Sequence, residues 1–150
     1  MRAVLQRVTR AAVEVDGLAV GRIGVGLVVL LGVAKGDGEE DLCYIIDKIR
    51  VLRIFSDEAG KMNRALDDVG GSLLLISQFT LLGDTSSGRR PGFDLAARPE
   101  EARALYEEAA TRLRAGGVRV ETGRFGAHMQ VELMNDGPVT LLLDSHGRFR

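Results

Sequence analysis

The 150-residue chain has few of the side chains that bind metals or form disulfides: one cysteine, Cys43, and two histidines, His128 and His146. A single cysteine cannot form an internal disulfide, and these three residues are too few for a convincing zinc site. The composition therefore predicts no metal and no other cofactor. It also favours a reducing compartment, and we expect the protein to be cytoplasmic.

Long apolar runs are missing as well. The longest, residues 27–34, is interrupted by Gly32 and is far too short to cross a bilayer. Residues 1–8 carry Arg2 and Arg7 and alternate apolar with polar side chains, which is unlike a signal or transit peptide. We therefore expect no membrane association.

A large excess of charge of either sign is also absent. The chain has 20 basic and 21 acidic side chains, and its formal net charge of −1 argues against a protein that coats long stretches of nucleic acid. Contact with a short nucleic-acid end stays open. With 45% hydrophobic and 27% charged residues, the chain suits one domain, which we assign to residues 1–145, followed by a polar tail at residues 146–150.

The residues that usually activate a nucleophile are scarce too. A Ser-His-Asp triad needs a histidine base, and the only internal histidine, His128, lies on the approach to a predicted strand. Cys43 lies within a predicted helix without an activating base. The segment Ala34-Lys35-Gly36 lacks the pattern of a phosphate-binding loop. Any catalysis must therefore use backbone dipoles and hydroxyl groups.

Strand-like runs are present, with two amphipathic helices between them. Apolar spacing predicts one helix around Leu42 to Leu52, with a capping box of Asp37 and Glu40, and a second helix that begins at Pro99. Strands are predicted at residues 3–8, 12–15, 18–23, 27–34, 72–82, 118–122, 129–134 and 139–143. This order predicts an α+β (α/β) domain in which two helices cover a curved, barrel-like sheet. Because the strands offer more apolar face than two helices can cover, we also expect an oligomeric interface.

A polar segment ends one of the apolar strands. Ser77, Gln78, Phe79 and Thr80 put two hydroxyls, an amide and an aromatic ring there. If no ligand binds, the hydroxyls bond nearby backbone groups and Phe79 fills core, and this is the simpler alternative.

A Gly-Pro pair, Gly137-Pro138, separates the last two predicted strands. Glycine allows backbone conformations that other residues avoid, and the bond before a proline is the common setting for a cis peptide. Such a joint can direct backbone carbonyls at a ligand. An ordinary turn between strands is the alternative.

These motifs together resemble a known family. Two segments are similar to the signature motifs of the D-aminoacyl-tRNA deacylases, or D-tyrosyl-tRNA deacylases: Ser77-Gln78-Phe79-Thr80-Leu81 and Asn135-Asp136-Gly137-Pro138-Val139-Thr140. Further matches follow in order along nearly the whole chain: Gln6-Arg7-Val8, Arg53-Ile54-Phe55, Gly60-Lys61-Met62-Asn63, Gly88-Arg89-Arg90-Pro91 and Gly123-Arg124-Phe125-Gly126-Ala127. Leu82 and His128 depart from the family's usual residues, which affects local contacts only.

The resemblance implies an enzyme that hydrolyses the ester between a D-amino acid and the terminal adenosine of tRNA, and so proofreads chirality in translation. Gly-tRNA, including glycine mischarged on tRNA-Ala, is also accepted. The resemblance further implies a homodimer in which a cis Gly137-Pro138 peptide enters the active site of the other subunit. Its carbonyl groups would bind the substrate ammonium, and an L side chain would collide with the backbone. Arg7 would hold this segment in place.

The resemblance also assigns the site residues. Ser77, Gln78, Phe79 and Thr80 form the catalytic segment, in which N–H groups near Phe79 and Thr80 hold the oxyanion while the neighbouring ribose hydroxyl assists. Gln78 and Phe79 would shape the adenosine pocket, with Met129 in its lining. Thr80 is assigned to positioning first and to nucleophilic attack second.

A basic loop is predicted at residues 83–98, which are rich in Gly, Ser, Asp and Arg. Arg89 and Arg90, with Lys61 and Arg64, would contact phosphates of the tRNA acceptor stem, or are ordinary solvated charges. Two other functions fit the same sequence: a noncatalytic RNA-binding module of this fold, and trans-editing of mischarged L-aminoacyl-tRNA. The intact signature residues favour catalysis.

Overall fold

Residues 1–147, the part of the chain that the computed structural model describes, form eight strands, two α-helices and two short 3-10 turns. The strands are β1 (Arg2–Val15), β2 (Leu18–Ile23), β3 (Gly26–Gly32), β4 (Phe55–Ser56), β5 (Met62–Arg64), β6 (Ser72–Ser77), β7 (Arg119–Thr122) and β8 (Gln130–Asp144). The helices are α1 (Glu39–Val51) and α2 (Pro99–Ala115), and the 3-10 turns span Asp67–Val69 and Phe79–Leu82. Within this described part, neither helix has both the length and the apolar character that a membrane crossing needs.

The long strand β1 organises the main sheet. Its first half, Arg2 to Val8, pairs with β3, and its second half, Ala11 to Val15, pairs with β2. β8 runs antiparallel to β1 along both halves, and parallel pairs continue the sheet from β3 to β6 and β7. Among the described strands β8 pairs with β1 alone, so one of its edges is free.

The sheet curls until β2 lies opposite β6 and β7. At Gly21 on β2, an added Cβ would lie 3.0 Å from the Thr122 carbonyl oxygen and 3.2 Å from Leu74 Cδ1. Glycine permits this close approach because it has no side chain. The curvature confirms the predicted α+β fold, with a barrel-like sheet and two helices packed on it.

Two apolar cores lie on opposite faces of β3 and β6, because side chains alternate along a strand. The core between the sheet and the helices takes from these strands Leu27, Val29, Leu31, Leu73 and Leu75. The core on the concave side takes from them Val28, Leu74 and Ile76. β3 and β6 are therefore buried on both faces, and this rigid pair carries the polar segment that follows β6.

β1 and β8 each unite two predicted strands. The pairing register of β1 and β8 shifts between Gln6 and Val8 and again between Val8 and Arg10. From Gln6 to Val8 the strand β1 advances two residues while β8 moves five, from Thr140 to Asn135, so the Gly137-Pro138 pair lies within a bulge of β8. The chain does not reverse there, so an ordinary turn between two strands is the wrong reading of this pair.

The predicted capping box of α1 is wrong. The sequence assigns it to Asp37 and Glu40, whereas the Gly38 N–H donates to Asp41 Oδ2 at 2.9 Å. Asp37 has a different role, because its buried carboxylate accepts a hydrogen bond from the Met1 ammonium at 2.7 Å. The helix therefore begins one residue later than the pattern predicts.

The end of the described chain packs against its beginning. The Met1 ammonium also donates to Ser145 Oγ at 2.7 Å, and His146 Nε2 lies 2.9 Å from Asp37 Oδ1. His146, the first residue of the predicted polar tail, thus contacts the domain. The rest of that prediction, residues 148–150, lies outside the described residues.

Candidate active site

A cavity of about 500 Å³ opens where β6 ends, between β3, the start of α2 and the segment that leads into β8. Its walls are mainly apolar and aromatic, with polar groups at one end: Leu31, Val33, Ile76, Ser77, Gln78, Phe79, Ala96, Ala97, Pro99, Ala102, Tyr106, Phe125, Gly126, Ala127, His128, Met129 and Val131. A cavity of this size and lining suits a small organic group such as a nucleobase with its sugar.

The backbone that follows β6 is fixed at the rim of this cavity. The predicted strand over residues 72–82 is wrong beyond Ser77, because the chain turns into the 3-10 segment Phe79–Leu82. The Gln78 N–H donates to the Leu31 carbonyl of β3 at 2.8 Å. At Gly32, an added Cβ would lie 2.8 Å from the Gln78 carbonyl oxygen. β3 therefore holds the turn from one side at a distance that only glycine allows.

The first N–H groups of this turn have no acceptor within it. Its first hydrogen bond runs from the Leu81 N–H to the Gln78 carbonyl at 3.3 Å. The N–H groups of Phe79 and Thr80 precede that bond, as the first donors of any helical turn do. Two backbone donors therefore lie next to each other, at Phe79 in the cavity wall and at the residue that follows it, where they can stabilise negative charge on a substrate oxygen.

The Thr80 hydroxyl bonds within the polar segment, although Thr80 itself does not line the cavity. It accepts a hydrogen bond from Gln78 Nε2, so the two side chains position each other. Both bonded groups are solvent-accessible. Among residues 1–147, no histidine or carboxylate hydrogen-bonds this hydroxyl, so it has no base that would make it a strong nucleophile.

Aromatic contacts connect the cavity rim to the basic loop. The rings of Phe79 and Phe93 meet edge to face with their centroids 5.0 Å apart. The loop between them is closed at its base, because Asp84 and Gly92 exchange backbone hydrogen bonds of 2.7 and 2.9 Å. The predicted exposed basic loop is therefore present, and its base packs on the polar segment.

Tyr106 forms the floor of the cavity, a role that the sequence analysis did not foresee. Its side chain is buried, and its hydroxyl donates to the Leu75 carbonyl at 2.8 Å. Burial raises the pKa of Tyr106 to about 12. Phe125 packs against it at a centroid distance of 5.8 Å. The apolar spacing of the second helix is consistent with an inward-facing Tyr106, but spacing alone cannot indicate that a residue faces a cavity.

His128 also lines the cavity, although the sequence offered no reason to choose it. Its side chain is exposed, and it lies next to Met129, two residues before β8 begins. Ser77, Gln78, Phe79 and Met129, all predicted site residues, line the same space. Four of the eight predicted positions thus meet around one cavity.

The remaining predicted residues apart from Thr80, namely Arg7, Gly137 and Pro138, form a second group. Gly137 and Pro138 are exposed on β8, joined by a cis peptide bond, and Gly137 has a φ of +127°. The Arg7 side chain is buried, and its Nε donates to the Asp136 carbonyl at 3.1 Å while one Nη donates to the Ile54 carbonyl at 2.6 Å. This second group does not contribute to the lining of the cavity in the same chain.

A cluster of potential metal ligands lies elsewhere. Asp37, Asp41 and His146 come within 4.8 Å of one another. The Met1 ammonium lies between the acids, 2.7 Å from Asp37 and 4.0 Å from Asp41, and already supplies a positive charge there. The cluster therefore contributes to stability at the chain ends rather than to the cavity.

Comparison with known proteins gives matches along nearly the whole chain. A family model described as D-Tyr-tRNA(Tyr) deacylase matches residues 4–144. A protein of Anaeromyxobacter dehalogenans named D-aminoacyl-tRNA deacylase is 61% identical over 149 residues, which are 99% of this chain and 100% of that protein. A Thermosipho africanus protein of the same name is 59% identical over 145 residues, 97% of each chain.

Solved structures share the fold. One described as c-Myc DNA Unwinding Element Binding Protein has a TM-score of 0.90 at 42% identity and covers 96% of this chain and 98% of its own. Another, described as a probable eukaryotic D-amino acid tRNA deacylase, has a TM-score of 0.79 at 19% identity, with 95% and 97% covered.

Proposed function

The chain belongs to the D-Tyr-tRNA(Tyr) deacylase family, and from this membership we propose that it hydrolyses the ester between a D-amino acid and the 3′-terminal adenosine of tRNA. Membership makes it a hydrolase that acts on aminoacyl-tRNA. The observation that carries the proposal is the 57% to 61% identity, over 97% of the chain or more, to proteins named D-aminoacyl-tRNA deacylase. The proposed setting is translation in the cytoplasm.

In the proposed complex the terminal adenosine occupies the cavity at the end of β6. The rings of Phe79 and Phe125 offer faces on which a base can stack, and Met129 adds an apolar wall. The Gln78 amide, next to Thr80, offers hydrogen bonds to polar groups of the nucleoside. The ester carbonyl then lies at the cavity rim, near the unpaired N–H groups of the 3-10 turn.

Hydrolysis in this arrangement needs no protein nucleophile. Water adds to the ester carbonyl carbon, and the N–H groups of Phe79 and Thr80 stabilise the oxyanion. The ribose hydroxyl beside the ester assists proton transfer, the bond from the carbonyl carbon to the ribose oxygen breaks, and that oxygen takes a proton. Thr80 acts by positioning, which agrees with its bond to Gln78 and with the lack of a base near it.

Chiral selection is proposed to come from a second subunit. Gly137 and Pro138 are exposed, and the cavity of their own chain does not include them. The free edge of β8 and its exposed apolar side chains Met134 and Leu142 suit a homodimer. In such a dimer the Gly-Pro carbonyls of one subunit bind the substrate ammonium in the other. A backbone held this way against the substrate leaves no room for an L side chain, whereas glycine has no side chain to collide with it.

The basic loop is proposed to add contacts to the tRNA. Arg89 and Arg90 are exposed, and the edge-to-face contact of Phe93 with Phe79 keeps the loop base next to the cavity. Lys61 and Arg64 are exposed on and beside β5. Together they would contact phosphates of the acceptor stem.

The test is a deacylation assay with D-Tyr-tRNA, L-Tyr-tRNA and Gly-tRNA, including Gly-tRNA-Ala. The proposal predicts rapid loss of the D and glycyl esters and slow loss of the L ester. Preferential hydrolysis of the L ester would instead indicate trans-editing of mischarged L-aminoacyl-tRNA.

A noncatalytic nucleic-acid-binding module is the second candidate. It is favoured by one observation: a structural neighbour with 42% identity is described as a DNA unwinding element binding protein. The same assay separates the two functions, because a binding module leaves all three esters intact while it still binds tRNA.

A further inference from the structure

A second cavity, of about 330 Å³, lies between α2 and the segment that follows β7. Its charged residues are Arg103, Glu107 and Arg114 of α2 and Arg124 after β7, and Phe125 forms one wall. We refer to these five residues as the basic cleft. The proposed reaction does not use it.

The charge of the basic cleft is not neutralised from within. Three arginines oppose one glutamate, and among residues 1–147 none of the three arginines lies in an ion pair with a carboxylate. Arg114 instead donates to the Val120 carbonyl from Nε and one Nη, at 3.2 and 3.0 Å. The guanidinium carbon of Arg103 lies 4.9 Å from the centre of the Phe125 ring. The cleft therefore holds arginine side chains in defined positions, with N–H donors that have no acceptor among the described residues, and this arrangement suits an anion.

Neighbouring arginines show the contrast. Arg112, also on α2, is held between Glu39 and Glu108, and Glu39 has a lowered pKa chiefly because the Arg112 side chain donates to it. Arg119, on β7, lies 3.5 Å from Glu121. The three arginines of the basic cleft differ from these two, because among residues 1–147 they have no carboxylate partner.

The basic cleft and the active-site cavity share two walls, Tyr106 and Phe125. The two cavities are therefore adjacent, within reach of consecutive parts of one chain molecule. Resting on the proposed function, we propose that the basic cleft binds the backbone phosphates of the unpaired nucleotides that precede the terminal adenosine. The arginines contact phosphate rather than base edges, so this binding does not depend on the RNA sequence.

The test compares Arg103→Gln/Arg124→Gln with wild type. Arg119→Gln, which removes an exposed arginine that is already paired with Glu121, is the matched control. Each protein is assayed with a D-aminoacyl-tRNA and with the same D-amino acid esterified to adenosine alone, which has no preceding phosphate. For the tRNA substrate, kcat/KM of the double variant should fall about tenfold, and the slope of log kcat/KM against log salt should become shallower by about 1.4 over roughly 50 to 200 mM. For the adenosine ester, kcat/KM should stay unchanged.

Two results would overturn the proposal. Equal losses on the two substrates would mean that the arginines only shape the active-site cavity through Phe125. An effect on tRNA no larger than that of Arg119→Gln would mean that phosphates do not enter the cleft.

A binding measurement separates this proposal from the proposed function. A short single-stranded oligoribonucleotide that ends in an unesterified adenosine should bind the double variant with the same shallower salt dependence. If wild type hydrolyses no ester but this difference in binding is seen, the proposed function fails and the cleft assignment stands. An unchanged salt slope would contradict the cleft assignment even in a fully active enzyme.

Discussion

The two motif segments of this molecule are supported in opposite ways. Residues 77–79 of the first segment, 77–80, line a cavity of their own chain, and β3 fixes their backbone through the bond from the Gln78 N–H to the Leu31 carbonyl. Residues 136–138 are exposed on the edge strand β8, and the buried Arg7 side chain holds them from below. The first segment has a pocket without a chiral selector, and the second has a rigid projecting backbone without a pocket. The difference indicates that the second segment acts on a surface that its own chain does not supply.

The largest effect is expected from a side chain at Gly137. Its φ of +127° is strained for any other residue, and an added Cβ would lie 2.9 Å from Val139 Cγ2. Gly137→Ala should move the exposed segment and lower kcat/KM for D-aminoacyl-tRNA about 100-fold, measured as deacylation at subsaturating substrate.

Gly17→Ala is the matched control for this change. Gly17 has a φ of +76°, but nothing lies within 4 Å of its added Cβ. It should lose about 1 kcal/mol of unfolding free energy and no activity. Similar kinetic losses in the two variants would show that general backbone strain, and not the position of the Gly-Pro segment, explains the first result.

A loss of about 2 kcal/mol in unfolding free energy is expected for Arg7→Gln, measured by urea denaturation. The change removes the donor to the Ile54 carbonyl and the ion pair with Asp136, whose atoms lie 3.1 Å apart. Chiral discrimination between D- and L-aminoacyl-tRNA should fall as well, because the Gly-Pro segment loses its support.

Arg10→Gln, on the same strand, provides the comparison for Arg7. Arg10 is exposed and lies 3.8 Å from Glu132, so its loss should cost less than about 0.5 kcal/mol. If both variants lost equally little, Arg7 would not support the second segment.

Tyr106 lines the same cavity as the first segment. Tyr106→Phe should lower the free energy of unfolding by about 1 kcal/mol near neutral pH. The Leu75 carbonyl that loses the phenol donor still accepts from the Gly123 N–H at 3.2 Å, which limits the loss. Because the pKa of Tyr106 is raised to about 12 in the folded state, the folded protein binds this proton more tightly than the unfolded chain does. Its contribution is therefore lost as pH rises from about 10 towards 12.

Denaturation of wild type and of Tyr106→Phe across that pH range checks the direction of this pH dependence of stability. Wild type should lose about 2 kcal/mol more than Tyr106→Phe between pH 10 and 12. Parallel curves would show that the phenol is not held in its neutral form by burial.

The smallest effect is expected at Thr80, if the ribose hydroxyl assists the reaction. Thr80→Ala should keep kcat within about fivefold of wild type, since it removes one hydrogen bond to Gln78. A tRNA with a 2′-deoxy terminal adenosine should be hydrolysed poorly by both proteins. A complete loss of turnover in Thr80→Ala, with folding and tRNA binding unchanged, would instead identify Thr80 as the nucleophile.

Much of the fold could be predicted from the sequence, because local sequence patterns and tertiary structure agree. The apolar stripe that begins at Leu42 and the proline at position 99 predict two helices, and both are confirmed. The pattern failed where distant contacts override it. The carboxylate of Asp37 accepts a hydrogen bond from the Met1 ammonium, so Asp37 is not the helix cap. β8 includes Gly137 in a bulge while the residues on either side stay paired with β1.

The candidate site shows the same division. Ser77, Gln78, Phe79 and Met129 could be named from the sequence because motifs mark them, and they line one cavity. Tyr106 could not be named from the sequence, because the pattern of an inward-facing helix residue is the same whether it contacts the core or a cavity. The sequence also could not predict that β6 ends at Ser77. The turn that follows depends on the close approach that Gly32, on another strand, allows because it has no side chain.

Mixing two inactive variants tests the central claim, that each active site combines the cavity of one subunit with the Gly-Pro segment of the other. Ala127→Trp fills the cavity, and Gly137→Ala displaces the second segment. When the two are unfolded together and refolded in equal amounts, half of the dimers carry one intact composite site. The account predicts recovery of about one quarter of wild-type deacylation of D-Tyr-tRNA. Activity no higher than the sum of the two separate variants would contradict it.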